Sequence, residues 1–133
     1  MINLSLIYAS FFSLLCPSTV KLIQVEGVCT HIVADCSDKL LSCPAVCRAF
    51  GKGVKLIGTN CDFYNLCTCT YDHLPYNFDL CDIGMGLCTK DCRNDCCDKR
   101  CTGQYPYSGV GLCVQDFSLD YCKCTYSRHW VCS

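Results

Sequence analysis

The chain has 133 residues, 18 of them cysteine, and 11 Lys and Arg against 12 Asp and Glu give it a formal charge of −1. Cysteine at that density in a short chain signals a disulfide scaffold, with a metal–thiolate protein of a reducing compartment as the rival. The bases at 90–100 interleave with Asp91, Asp95 and Asp98 and so do not make the concentrated positive patch that nucleic-acid binding requires.

The N-terminus decides between the two. Leu4 to Cys16 is apolar apart from three serines, the length of a signal-peptide core and too short for the roughly 20 residues that span a bilayer. Val25-Glu26-Gly27 offers a cleavage site, which makes residues 1–27 a leader, and Ser18 is a second candidate. No later stretch is apolar and long enough to cross a membrane. Export to an oxidising compartment favours disulfides. A cut after Gly27 removes Cys16 and leaves 17 of the 18 cysteines, an odd number. One thiol is then free or intermolecular, or the cut lies elsewhere. The remaining chain holds 10 Lys and Arg against 11 Asp, still −1.

The cysteines repeat. Cys29 and Cys36 recur as Cys81 and Cys88, each 52 residues on; Cys43-Pro-Ala-Val-Cys47 matches Cys97-Asp-Lys-Arg-Cys101, and Cys61 matches Cys113. Cys67-Thr-Cys-Thr-Tyr71 nearly coincides with Cys122-Lys-Cys-Thr-Tyr126. The expected organisation is a module at 28–73, a linker at 74–78 and a second module at 79–133. Each module has about 50 residues, too few to rely on apolar burial alone, so cross-links are a physical need.

In chain order, Ser42 is positioned to cap a helix from Cys43 to Phe50, with Pro44 tolerated in the first turn and Gly51 as terminator. Strands are predicted over Val54 to Ile57 and Asn65 to Tyr71. In the second module Asn94 or Asp95 caps, Cys97 to Cys101 is helical and Gly103 stops it. Strands over Val110 to Val114 and Asp120 to Tyr126 follow. Cys-x3-Cys puts two thiols one helical turn apart, about 6 Å along the axis. Cys-x-Cys on a strand puts two thiols on one face about 6.6 Å apart. The match lets two parallel bridges fasten one helix to one strand. The expected fold is a small disulfide-rich α+β chain of two tandem modules, each a lead segment and a short helix stapled to a β-hairpin.

This order of Cys … Cys-x3-Cys … Cys … Cys-x-Cys resembles the cysteine-stabilised αβ motif of plant defensins and plant defensin-like secreted proteins, over both modules. Gly111-Leu112-Cys113 with a late Cys132 resembles the family's Gly-x-Cys γ-core and terminal cysteine. The resemblance implies Cys36–Cys61, Cys43–Cys67 and Cys47–Cys69 in the first module. In the second it implies Cys97–Cys122, Cys101–Cys124, Cys81–Cys132, and Cys113 with Cys88 or Cys92. Cys88, Cys92 and Cys96 are also spaced four apart, so a register with Cys92 and Cys96 on the helix is open. Cys29 and the extra cysteines have no implied partner and could bridge the modules.

The resemblance implies host defence, antifungal or antimicrobial. The loops depart from the cationic pattern that meets anionic lipid: Val114 to Tyr121 carries Asp116 and Asp120 and no base, and Asp62 to Leu66 carries one acid and no base. The alternative is a secreted ligand of a host cell-surface receptor. Protease inhibitors and channel-blocking toxins share the scaffold. The candidate partner is thus a microbial surface component or a host receptor, with Phe63, Tyr64, Gly111, Phe117 and Tyr121 as candidate recognition residues and Tyr105 and Tyr107 beside them, because aromatics dominate binding hot spots. Lys90, Arg93, Lys99 and Arg100 interleave with Asp91, Asp95 and Asp98, which reads as a salt-bridged, solvated face. No catalytic residue, cofactor or metal is expected. His31, His73 and His129 neighbour no serine nucleophile motif and make no two-Cys two-His zinc spacing, and disulfide formation consumes the thiols. His31 and His73 read as surface or loop residues, and His129-Trp130 as tail packing near Cys132.

Overall fold

The computed structural model describes residues 22–25, 28–73, 80–127 and 129–132. Val28–Ser127 forms one compact unit and holds two equivalent modules. The first module runs β2 (Cys29–Asp35), α1 (Cys43–Gly51), β3 (Leu56–Asn60) and β4 (Leu66–Tyr71), with sheet order β2-β4-β3. The second runs β5 (Cys81–Leu87), α2 (Asn94–Gln104), β6 (Val110–Asp116) and β7 (Leu119–Tyr126), with order β5-β7-β6. All pairings are antiparallel. The lead segment of each module is thus a third strand. Both lead strands bulge at equivalent places, between Ile32 and Ala34 and between Gly84 and Leu87.

A separate antiparallel ladder joins β1 (Leu22–Val25) to β8 (His129–Cys132), with Leu22 opposite Cys132. Among the described residues no helix is long and apolar enough to cross a membrane.

Several element boundaries differ from expectation. The first hairpin strand starts at Leu56 rather than Val54, because Lys52 (φ 49°) and Gly53 (φ 94°) turn the chain left-handed and the Val54 N–H closes onto Gly51 O at 3.1 Å. Gly51 belongs to α1 instead of ending it. A Cβ there would lie 2.5 Å from the ring of Tyr71, so this glycine makes room for the core. Ser42 caps α1, its Oγ accepting from the Ala45 N–H at 3.4 Å. The second helix starts at Asn94, three residues ahead of Cys97, behind Arg93, which makes no side-chain cap bond. Asn94 is occupied elsewhere, and α2 continues past Gly103 to Gln104.

Eight disulfides join sixteen of the described cysteines. In the first module they join Cys36 to Cys61, Cys43 to Cys67 and Cys47 to Cys69. In the second they join Cys88 to Cys113, Cys97 to Cys122 and Cys101 to Cys124. Cys92 bonds to Cys96 within the chain turn that starts α2. Cys81 is not paired with Cys132; it is bonded to Cys29, 52 residues away. Cys132 lies in β8, opposite Leu22 of β1. The side chains of Cys16 and Cys132 lie outside the described residues.

The cores are built of cystine and tyrosine. One gathers Ala34, Cys47, Cys67, Cys69 and Tyr71, another Cys88, Cys97 and Cys122, and a third Cys29, Cys81 and Tyr126. With so little aliphatic area to bury, the chain relies on ring closure. In the loop-entropy model, bridges with separations of 22 to 25 each contribute about 3.5 kcal/mol, and the bridge spanning 52 about 4 kcal/mol. The Cys92–Cys96 ring, with separation 4, contributes about 2 kcal/mol.

Candidate recognition surface

The third core is the junction of the two modules. β2 and β5 are the sheet edges that face one another, and an edge strand leaves backbone groups unpaired unless something covers them. Here side chains do so. Asp82 Oδ1 accepts from the Ile32 N–H at 2.9 Å, while its Oδ2 lies 3.1 Å from His31 Nδ1. Thr30 Oγ1 donates to the carbonyl of Asp82 at 2.7 Å. The Tyr126 hydroxyl donates to the Val28 carbonyl at 2.9 Å and accepts from the Thr30 N–H at 3.0 Å. Cys29–Cys81 closes the same junction between repeat-equivalent positions. The disulfide makes the pair covalently one body.

His31 is the residue that sequence reasoning misplaced. It is 4 % exposed, wedged 4.8 Å from the ring of Phe50. Its neighbour Cys29 gives the ring an apolar, sulfur-lined side, with Cys29 Sγ 3.6 Å from Nε2. A signal existed, since the lead strand reads Cys-Thr-His-Ile-Val-Ala with no charge; the partner Asp82 could not be seen. His73 is exposed, 3.8 Å from Asp72, and the side chains of His129 and Trp130 lie outside the described residues. Cys29, His31 and Cys81 bring their ligand atoms within 4.8 Å of one another, but the two sulfurs are joined to each other, which leaves one imidazole.

The five candidate recognition residues separate. Phe63 reaches across the junction: its ring sits 5.5 Å edge-on to Tyr121, and a Cβ on Gly84 would come within 2.2 Å of it. Tyr121 is 1 % exposed and Gly111 is buried; neither faces solvent, which corrects their assignment as contact residues. Gly111 lies under α2, where a Cβ would approach the Cys97 carbonyl oxygen to 2.4 Å. Burial, with lesser repulsion from Asp116 and Asp82, pushes the Tyr121 hydroxyl up to about 12.

Tyr64 and Phe117 remain in solvent, 51 % and 36 % exposed. They occupy equivalent hairpin tips. Tyr64 and Asn65 have φ of 47° and 62°, and Phe117 and Ser118 have φ of 52° and 62°. Two successive positive φ values, with the Leu66 N–H closing onto Phe63 O at 2.8 Å in the first tip, are the signature of a type I′ turn. Such turns normally use Asn-Gly. An aromatic residue held left-handed costs about 1 kcal/mol or more. The second tip is also acidic: Asp116 and Asp120 flank Phe117-Ser118, with Asp116 paired to Leu119 across the turn.

The basic cluster has a different arrangement from the interleaved pairs expected. Among the described residues Arg93 pairs with Asp120 at 2.8 Å, and no ion pair joins Lys90, Arg93, Lys99 or Arg100 to Asp91, Asp95 or Asp98. Arg100 donates to the carbonyls of Met85 and Leu87 at 3.0 and 3.4 Å. An open groove of about 860 Å³ lies along this face, lined by the four bases together with Asp91, Asp95 and Cys96.

No family profile matches the chain, and no solved structure matches it. Among curated proteins it is similar to three from Arabidopsis thaliana. Defensin-like protein 183 is 28 % identical over 129 residues, which cover 93 % of this chain and 96 % of that protein. Defensin-like protein 181 is 45 % identical over 60 residues, and defensin-like protein 182 is 33 % identical over 66. The matched parts are 44 % and 46 % of this chain and about half of those two relatives, 47 % and 50 %. The full-length alignment, the repeated helix-on-sheet module and its parallel helix–strand disulfides point the same way: the chain is similar to the defensin-like proteins of Arabidopsis thaliana.

Proposed function

We propose that this protein is exported as a non-enzymatic host-defence protein that recognises a component of the microbial surface through the hairpin tip of its second module. The observation that carries the reading is Phe117, an exposed aromatic held at φ 52° between Asp116 and Asp120. A left-handed aromatic kept at a partly exposed tip supports a residue retained for contact. The acids around it oppose attraction to anionic lipid, so the reading is binding to a defined target rather than disruption of a bilayer. Similarity to the defensin-like proteins supports defence, and the density of disulfides supports an extracellular site of action.

The test is growth inhibition of fungi by the wild-type protein and by Phe117→Ala, with leakage from anionic vesicles measured in parallel. Inhibition that falls at least tenfold in the variant, without vesicle leakage from either protein, supports the reading. Leakage that tracks inhibition sinks it. A second reading, a ligand of a host receptor, rests on Tyr64 and Phe117 recurring as two such tips on one cross-linked body. Saturable binding to host cells without growth inhibition would favour it.

A further inference from the structure

We propose that Cys92–Cys96 is a site of thiol–disulfide exchange, with Cys96 Sγ attacked by anionic low-molecular-weight thiols of the glutathione type. This bridge has no counterpart in the first module. In the register that aligns Cys43 with Cys97, Cys96 takes the place of the helix-capping Ser42. The bridge joins no helix to a strand and no module to another. It closes a ring of separation 4, whereas the other seven span 22 or more, and a small ring restrains the unfolded chain least.

Access is one-sided. Cys92 is 6 % exposed, whereas Cys96 is partly exposed and lines the open groove that also holds Lys90, Arg93, Lys99 and Arg100. Lys90, Lys99 and Arg100 favour an approaching thiolate and the thiolates that exchange releases, while Arg93 is paired to Asp120 and Asp91 and Asp95 oppose in the same groove. Cys43–Cys67 and Cys88–Cys113 each expose one sulfur in part, as Cys92–Cys96 does, but both join a helix or lead segment to a hairpin strand; Cys36–Cys61 is the strongest competitor, since both its cysteines are partly exposed. Its sequence neighbours are Asp35, Asp38 and Asp62, which repel an anionic thiol. Charge therefore separates this bridge from Cys92–Cys96, which exposure alone would not.

The step balances as follows. A thiolate RS⁻ attacks Cys96 Sγ, the new RS–S bond forms as the Cys92–Cys96 bond breaks, and the electron pair leaves on Cys92 Sγ, which takes a proton. A second RS⁻ attacks the RS sulfur of the mixed disulfide, giving RSSR and a Cys96 thiolate that takes a proton. Two thiols are oxidised and one protein disulfide is reduced.

The folded, fully oxidised chain is incubated with reduced glutathione, quenched with iodoacetamide at intervals and mapped by mass spectrometry. Cys92 and Cys96 are expected to become labelled at least tenfold faster than any other pair, with the mixed disulfide found on Cys96. Substituting Lys90→Gln and Lys99→Gln should slow this several-fold, and slow a neutral thiol such as 2-mercaptoethanol less. The wild-type mapping stands whether or not these variants fold. Earlier opening of Cys36–Cys61, simultaneous opening of all bridges, or the mixed disulfide on Cys92 would each overturn the proposal.

Discussion

Asp98 Oδ1 accepts a hydrogen bond from the backbone N–H of Gly111 at 2.9 Å. One helical turn earlier, Asn94 Oδ1 accepts from the N–H of Cys113, also at 2.9 Å. β6 is a sheet edge, and Gly111 and Cys113 are alternate residues whose N–H groups face α2. The helical rise of about 6 Å over four residues again meets the strand repeat of about 6.6 Å over two. Polar side chains on α2 thus repeat, on β6, the parallel stapling that Cys97 and Cys101 make to β7.

Removing the charged acceptor should cost what a charge-assisted hydrogen bond contributes. Asp98→Ala is expected to destabilise the oxidised protein by about 1.5–3 kcal/mol, and Asp98→Asn by less. Denaturant unfolding with the disulfides intact reads this directly. Equal stability of Asp98→Ala and wild type would show the edge to be equally well capped by water.

Gly84 and Phe63 are coupled across the junction, because a Cβ on Gly84 would meet the Phe63 ring. Gly84→Ala is expected to cost about 1–3 kcal/mol as overpacking. Adding Phe63→Ala should recover part of that loss. A double-mutant cycle with no coupling would mean that the ring simply moves aside.

Ser118 holds φ 62° beside Phe117. Ser118→Gly should stabilise the protein by about 0.5–1 kcal/mol through relief of left-handed strain, offset in part by unfolded-state entropy. Target binding should persist, since Phe117 is kept. The thermal midpoint and the growth-inhibition assay together check it.

Tyr71 and Tyr121 both have hydroxyls pushed up to about 12 from the ordinary 10, chiefly by burial. The folded state thus holds these protons more tightly than the unfolded one. Their contribution to stability is complete below about pH 10 and is lost as pH rises through about 12. Ultraviolet titration should find Tyr71 and Tyr121 ionising late, with unfolding following; ionisation of both near pH 10 in folded protein would contradict it.

Cys29–Cys81 ties the modules whatever happens between them. Cleavage at a specific protease site inserted into residues 74–78 should leave one species on a non-reducing gel and two after reduction. Separation without reductant would show that the bridge does not hold the pair.

The repeat, the helix and hairpin in each module, and the helix–strand pitch match were legible in the sequence because they are local. Four residues of helix and two of strand have spacings set by backbone geometry alone, and the cysteines mark both. Three features depended on contacts between residues far apart in the chain. His31 became a buried partner of Asp82, Cys29 met its own repeat equivalent Cys81, and Gly111 and Tyr121 turned inward while Phe117 stayed out. Each follows from how two sheet edges dock, which periodicity within one module does not encode. The left-handed tips carry no glycine to announce them. Hairpin closure between strands already pinned by disulfides imposes φ > 0 on whatever residues lie there, so only the tertiary structure decided which aromatics the protein shows to its surroundings.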